Sequence, residues 1–144
     1  MREKASIPKS RLLACCVPFA VVVSGCADLV VTDVQHAQFS VQTLVVKATV
    51  KNEGSRDAPA STTHVDIMPA GSSTFTRSLT SATPPLPAGQ QIEVPIPGLF
   101  GTDVPSIGSG QCLQLKACAD YTNTVSEGWF GGEGNNCKTS SYCR

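Results

Sequence analysis

Four cysteines near the end of the chain, Cys112, Cys118, Cys137 and Cys143, restrict the possible folds more than any other feature of the sequence. The spacing from Cys112 to Cys118 equals that from Cys137 to Cys143, and it is even, so in extended strands each pair shares one face. Six residues of strand span about 20 Å, far beyond the roughly 4.4–6.8 Å Cα separation that a disulfide allows. Joining Cys112 to Cys118, or Cys137 to Cys143, would therefore destroy the strands. In an antiparallel hairpin, directly opposed residues have a constant index sum, and Cys112 with Cys143 gives the same sum as Cys118 with Cys137. One register opposes both pairs, which predicts disulfides Cys118–Cys137 and Cys112–Cys143. They fall on an outer face with Gln114 and Lys116, opposite the apolar Leu113 and Leu115. The crossed pairing needs a shifted register. Zinc is a poor rival, because two equal C-x5-C spacings do not match the usual short metal knuckles.

The rest of the chain after residue 28 shows the same period of two. Asp28–Gln35 carries Leu29, Val31 and Val34. Thr43–Lys51 sets Leu44, Val46, Ala48 and Val50 on one face. Asn52-Glu53-Gly54-Ser55 reads as a turn. Thr62–Met68 offers Thr63, Val65 and Ile67 inward and Thr62, His64 and Asp66 outward. A weaker strand is expected over Thr74–Leu79, and a stronger one over Gln90–Ile96 after the proline loop Pro84–Pro87. Gln111–Ala119 and Cys137–Cys143 complete the set. About seven strands with no helical periodicity predict an all-β, two-sheet antiparallel sandwich.

The first 25 residues read differently. Arg2, Lys4, Lys9 and Arg11 precede an apolar run, Leu12–Val23, that reaches about 18 Å as a helix against a bilayer core of roughly 30 Å. Pro18 also interrupts it. Basic, apolar and then small residues form the order of an export signal, which implies an oxidising compartment. Val23-Ser24-Gly25-Cys26 resembles a bacterial lipobox, in which the Cys receives diacylglycerol before cleavage. That resemblance implies a signal peptide over residues 1–25, a mature domain over 26–144, and a lipid on Cys26 that holds the chain on a membrane. Because no Asp follows Cys26, it also implies an outer-membrane lipoprotein of the cell envelope. A second reading is an ordinary cut after Ala27, with Gly25 and Ala27 as the small residues, which gives a secreted protein. Strand-like sequence starts at Asp28, so a lipid on Cys26 has almost no tether.

Lys+Arg and Asp+Glu balance at 11 each. Removing the four leader cations and Glu3 leaves the remainder about three charges negative, and no basic face for nucleic acid. His36, in an expected loop, and His64, on an outward strand position, read as solvated side chains. No nucleophile elbow accompanies them, and no catalytic residues, cofactor or metal are assigned. Asp120, Asn123, Glu127, Glu133 and Asn136 offer oxygens that calcium prefers, but without EF-hand spacing they read as turn chemistry. Trp129 and Phe130, between glycines, together with Tyr121, form the candidate binding loop. If every connection reverses direction, that loop and the start of the first strand share one end of the sandwich. The two rings then meet the lipid interface beside an anchored Cys26, or a protein or glycan partner in a soluble chain.

Asp28-Leu29-Val30-Val31 and Val46–Gly54 resemble the opening of bacterial CARDB domains, which are cell-adhesion-related modules. Leu86-Pro87-Ala88-Gly89 before an alternating strand fits their middle. Asp120, Asn123, Val125 and Glu127, followed by Glu133-Gly134-Asn135-Asn136, look like the family's closing signature. The resemblance covers nearly all of 28–143. It departs in the four cysteines and in the inserted Gly128–Gly132. It implies an immunoglobulin-like fold and a non-enzymatic binding or adhesion module, with a secreted inhibitor or assembly subunit as the alternative.

Overall fold

The computed structural model describes residues 25–39, 42–72, 74, 77–127 and 134–143. Among the described residues, eight strands form two antiparallel sheets. The first holds β1 (Leu29–Phe39), β2 (Thr43–Asn52) and β5 (Gln91–Pro95) in that order, with β6 (Leu99–Phe100) also pairing β2. The second runs β4 (Arg77–Thr83), β3 (Ser61–Pro69), β7 (Cys112–Cys118) and β8 (Cys137–Cys143). The fold is the expected immunoglobulin-like sandwich, with β6 added inside the Gly/Pro-rich connection after Ile96.

The core lies where the alternating apolar faces meet. Leu44, Val46, Ala48 and Val50 from β2 face Val65 and Ile67 from β3 and Leu113, Leu115 and Ala117 from β7, all buried. At about 25 cal/mol per Å² of apolar surface removed from water, this interlayer is the main term holding the sheets together. The polar positions between these residues point outward, and on β7 and β8 that outer face carries both disulfides.

Three elements depart from the periodicity of the sequence. β1 shifts register between Val31 and Asp33 and again between His36 and Gln38. The first bulge explains why Val31 and Val34, an odd spacing, are both buried. β1 also runs on to Phe39, so His36 lies in a strand and not in a loop; its ring sits 3.4 Å from that of Tyr142. β4 begins at Arg77 and extends to Thr83, later than the expected Thr74–Leu79. Its inward side chains include Ser81 and the buried Thr83, whose hydroxyl lies 2.6 Å from that of Thr63. A strand that buries hydroxyls shows no apolar alternation, and its ends are set by pairing of Ser61 with Thr83 and Ile67 with Arg77.

Both open sides of the sandwich are stapled by polar contacts. Ser81 Oγ donates to Pro95 O at 2.8 Å, joining β4 to β5. On the other side Lys138 Nζ donates to Thr32 O at the first bulge, joining β8 to β1. Tyr142, on the same inward side of β8 as Lys138, packs against the core and meets His36.

Candidate functional site at the N-terminal end of the sandwich

One end of the sandwich collects the start of β1, the turn after β2, the end of β7 and the start of β8. The chain enters it as an extension of the β1–β2 ladder. Ser55 N donates to Cys26 O at 3.0 Å and Glu53 N to Asp28 O at 2.7 Å. Ala27, between these two carbonyls, is 5% exposed and belongs to the core. Gly54 makes the approach feasible, because a Cβ there would lie 2.2 Å from Cys26 O and 2.6 Å from Asp28 N. Asn52, fully buried, organises the turn with all its amide capacity. Its Oδ1 accepts from Asp28 N and Gly54 N at 3.1 Å each, and its Nδ2 donates to Arg56 O at 2.8 Å and Leu86 O at 2.9 Å. A buried amide with four good partners avoids the cost of an unsatisfied polar group.

The segment after β7 is locked by its carboxylates. Asp120 adopts a φ of 45° and Asn123 a φ of 52°, left-handed values that Asx residues tolerate best. The Asp120 carboxylate accepts Thr124 N at 3.0 Å, Thr124 Oγ1 at 2.9 Å and Val125 N at 2.7 Å. Glu127, buried, accepts Leu29 N at 2.9 Å and Asn136 Nδ2 at 3.0 Å. Asn135 Nδ2 donates to Asp28 Oδ1 at 3.3 Å. The described members of the acidic cluster therefore hold turns and strand ends. No group of three or more His, Cys, Asp or Glu converges on a common point among the described residues. Glu133, Trp129 and Phe130 lie outside the described residues.

Tyr121 is described. Its N–H donates to Thr62 O at 2.9 Å, which carries the ring over the outer face of β3. There it stacks on His64, with centroids 3.9 Å apart and planes 11° from parallel. Tyr121 stays 58% exposed while His64 is only 6% exposed, so His64 is not the solvated side chain its outward strand position predicts. His64 Nε2 lies 2.7 Å from Asp66 Oδ1, which also accepts Ser78 Oγ at 2.6 Å. His64 and Ser78 thus contact the same carboxylate. Sequence reading missed this platform because Tyr121 reaches His64 only through the strained turn at Asp120.

Cys26, half-buried and outside both disulfides, borders a cleft of about 350 Å³ with Arg56, Asp57, Pro59, Thr124 and Ser126. Residues 1–24 of the leader lie outside the described residues. The disulfides are Cys112–Cys143 and Cys118–Cys137, in a β7–β8 register that opposes both pairs directly. No helix among the described residues is long and apolar enough to cross a membrane.

A CARDB family model matches residues 26–140. The crystal structure of the CARDB domain of a Pyrococcus furiosus protein, in complex with di-metal ions, superposes with a TM-score of 0.50 at 20% identity, covering 82% of this chain and 93% of that one. β-Glucosidase 3B from Thermotoga neapolitana, in complex with α-D-glucose, gives 0.49 at 19% identity over 82% of this chain and 16% of its own. Bacteroides uniformis β-glucuronidase gives 0.47 at 13% identity over 79% of this chain and 12% of its own. The likeness to the Pyrococcus furiosus domain is one of fold alone. No curated protein matches.

Proposed function

The chain belongs to the CARDB family of non-catalytic, adhesion-like modules, and from that membership we propose that it is a binding module exported to the cell envelope and held there by a lipid on Cys26. The observation that carries the anchor is the burial of Ala27 with the Cys26 carbonyl bonded to Ser55. An ordinary cut after Ala27 would remove a core residue and that hydrogen bond. A cut before Cys26 removes neither, and leaves the thiol at the edge of an open cleft. Two cross-strand disulfides fit an oxidising compartment.

The intact mass of the mature native protein, extracted without reductant and treated with a thiol-blocking reagent, tests this. The expected product starts at Cys26, carries added acyl mass and has no blocked thiols. A start at Asp28 without lipid would overturn the anchor and leave the alternative of a secreted soluble binder.

The partner-binding part of the reading rests on Tyr121, an exposed ring supported from beneath by His64. Trp129 and Phe130 belong to the lipid interface in the anchored chain, since the residues flanking their segment, Glu127 and Asn135, bond Leu29 and Asp28 beside Cys26. They join Tyr121 as a partner surface only in the soluble alternative. The partner is a protein or glycan. An aromatic ring with one free face, as Tyr121 has, suits both, stacking on apolar side chains or on the C–H face of a sugar. Replacing Tyr121 with Ala should weaken capture of the partner, and replacing Trp129 and Phe130 with Ala should weaken membrane retention of the anchored chain, in both cases without unfolding the domain. Metal has no part in the proposal. The di-metal complex is a property of the Pyrococcus furiosus domain; in this chain the Asp120 and Glu127 carboxylates accept backbone and side-chain donors.

A further inference from the structure

We propose that the domain stands end-on against a phospholipid surface, with Arg56, Pro59, Thr124 and Ser126 turned to the headgroups; this rests on the lipid at Cys26 and adds to it a fixed orientation. The orientation follows from the missing tether. A flexible linker of n residues gives an anchored domain a reach of about 5–6 Å × √n. Here the anchored residue is itself part of the ladder. Cys26 O accepts Ser55 N, the next residue is buried in the core, and Asp28 N and O are both bonded to the β2 end and its turn. A thioether on Cys26 would place its glycerol group at the boundary of headgroups and acyl chains. Whatever lines the cleft beside that sulfur must then lie in the headgroup layer.

The chemistry of this end suits such a layer. Among the described residues the acids of this end each meet a protein donor: Asp28 from Asn135, Glu53 from Lys51, Asp57 from Ala88 N, Asp120 from Thr124 and Val125, and Glu127 from Leu29 N. Asp57 also lines the cleft beside Arg56. Arg56 is exposed and forms no ion pair among the described residues, and a guanidinium donates in a fork that matches a phosphate. Pro59, Thr124 and Ser126 are uncharged. The opposite end, with a cleft of about 490 Å³ lined by Pro69, Ile107 and Gln111, is then held a strand's length away, about 30 Å from the headgroups.

The test uses the full lipidated chain in vesicles of phosphatidylethanolamine and phosphatidylglycerol. Fluorescent labels are placed on Ser126→Cys and, separately, on Ser106→Cys at the far end. Cys26 as a thioether and the disulfide cysteines do not take the label. With a quencher on the lipid headgroups, the label at 126 should be quenched several-fold more than the label at 106. Moving the acylated Cys to the front of a Gly/Ser tether of about ten residues, with Cys26→Ser, should bring the two values together. Equal quenching of both positions in a chain whose mass shows the lipid would overturn the orientation alone. A mass without lipid would overturn the orientation and the anchor together. A difference that survives the tether would overturn the rigid anchor as its cause.

Discussion

Glu127 accepts the backbone N–H of Leu29 at 2.9 Å across 98 positions of sequence, closing the sandwich where its first strand begins. The second carboxylate oxygen takes Asn136 Nδ2, so one side chain ties β1 to the entry of β8. Leu29 is fully buried, and its N–H has no water to turn to if the carboxylate is removed.

Glu127→Ala should therefore lower stability by about 1–3 kcal/mol, the cost of an orphaned buried donor. Glu127→Gln should cost less. Its amide can still accept from Leu29, and Asn136 can turn its own amide so that Oδ1, which makes no hydrogen bond in the structure, accepts from the new donor. Urea unfolding of both variants checks the order; equal losses would place the effect elsewhere.

Gly54→Ala tests the entry of the chain. Its methyl group would collide with the backbone of Cys26, Ala27 and Asp28, which cannot swing aside as a side chain can. The expected loss is about 1–3 kcal/mol. It should be accompanied by faster amide hydrogen exchange at Ser55 and Glu53, the two donors to that segment. Unchanged exchange at these amides would show that the N-terminal segment contributes nothing to the fold.

The two disulfides should not be equivalent. Cys118 and Cys137 are 19 positions apart and Cys112 and Cys143 are 31 apart. Replacing the inner pair with Ser should cost about 3 kcal/mol. With the inner bridge intact the outer one closes little additional loop, so its removal should cost less. The outer pair does hold the end of β8, whose inward residues Ser140 and Tyr142 are only half-buried. Urea midpoints of the two double variants decide the ranking.

Burial of the ring keeps His36 below the ordinary imidazole range. The unfolded chain then binds the proton more tightly than the native one, so protonation favours unfolding. Stability from this source is complete above the ordinary histidine value and declines as pH falls from about 7 towards 5. His36→Gln should flatten that part of the profile. Thermal melting of both proteins across this range is the check, and parallel profiles would remove His36 from the account.

The β7–β8 hairpin could be read directly from the chain, because alternation of Leu113, Leu115 and Ala117 fixes the inward face and the cysteine spacing fixes the register. β2 was equally legible. β4 was not, since Ser81 and Thr83 are inward and carry no apolar signal, and only pairing with β3 sets its ends. His64 shows a different limit. Its place in β3 assigns it outward, and outward it points, yet Tyr121 returns from 57 positions away to cover it. The turn that delivers the ring depends on Asp120 accepting three hydrogen bonds in a left-handed conformation, and no periodicity reports that.

Alternation and spacing are local relations between side chains, and they are enough to specify strands, inward faces and the opposition of four cysteines. The end that carries Cys26 depends instead on which backbone donors remain unpaired once both sheets have formed. Leu29 N, Asp28 N, Ser55 N and Val125 N sit beyond regular pairing at the strand ends, and each is satisfied by a residue distant in sequence or by a turn that the stacked sheets hold in place. Burial makes an unsatisfied N–H costly, so the choice among Glu127, Asn52, Cys26 and Asp120 as their acceptors was made by the packed tertiary structure.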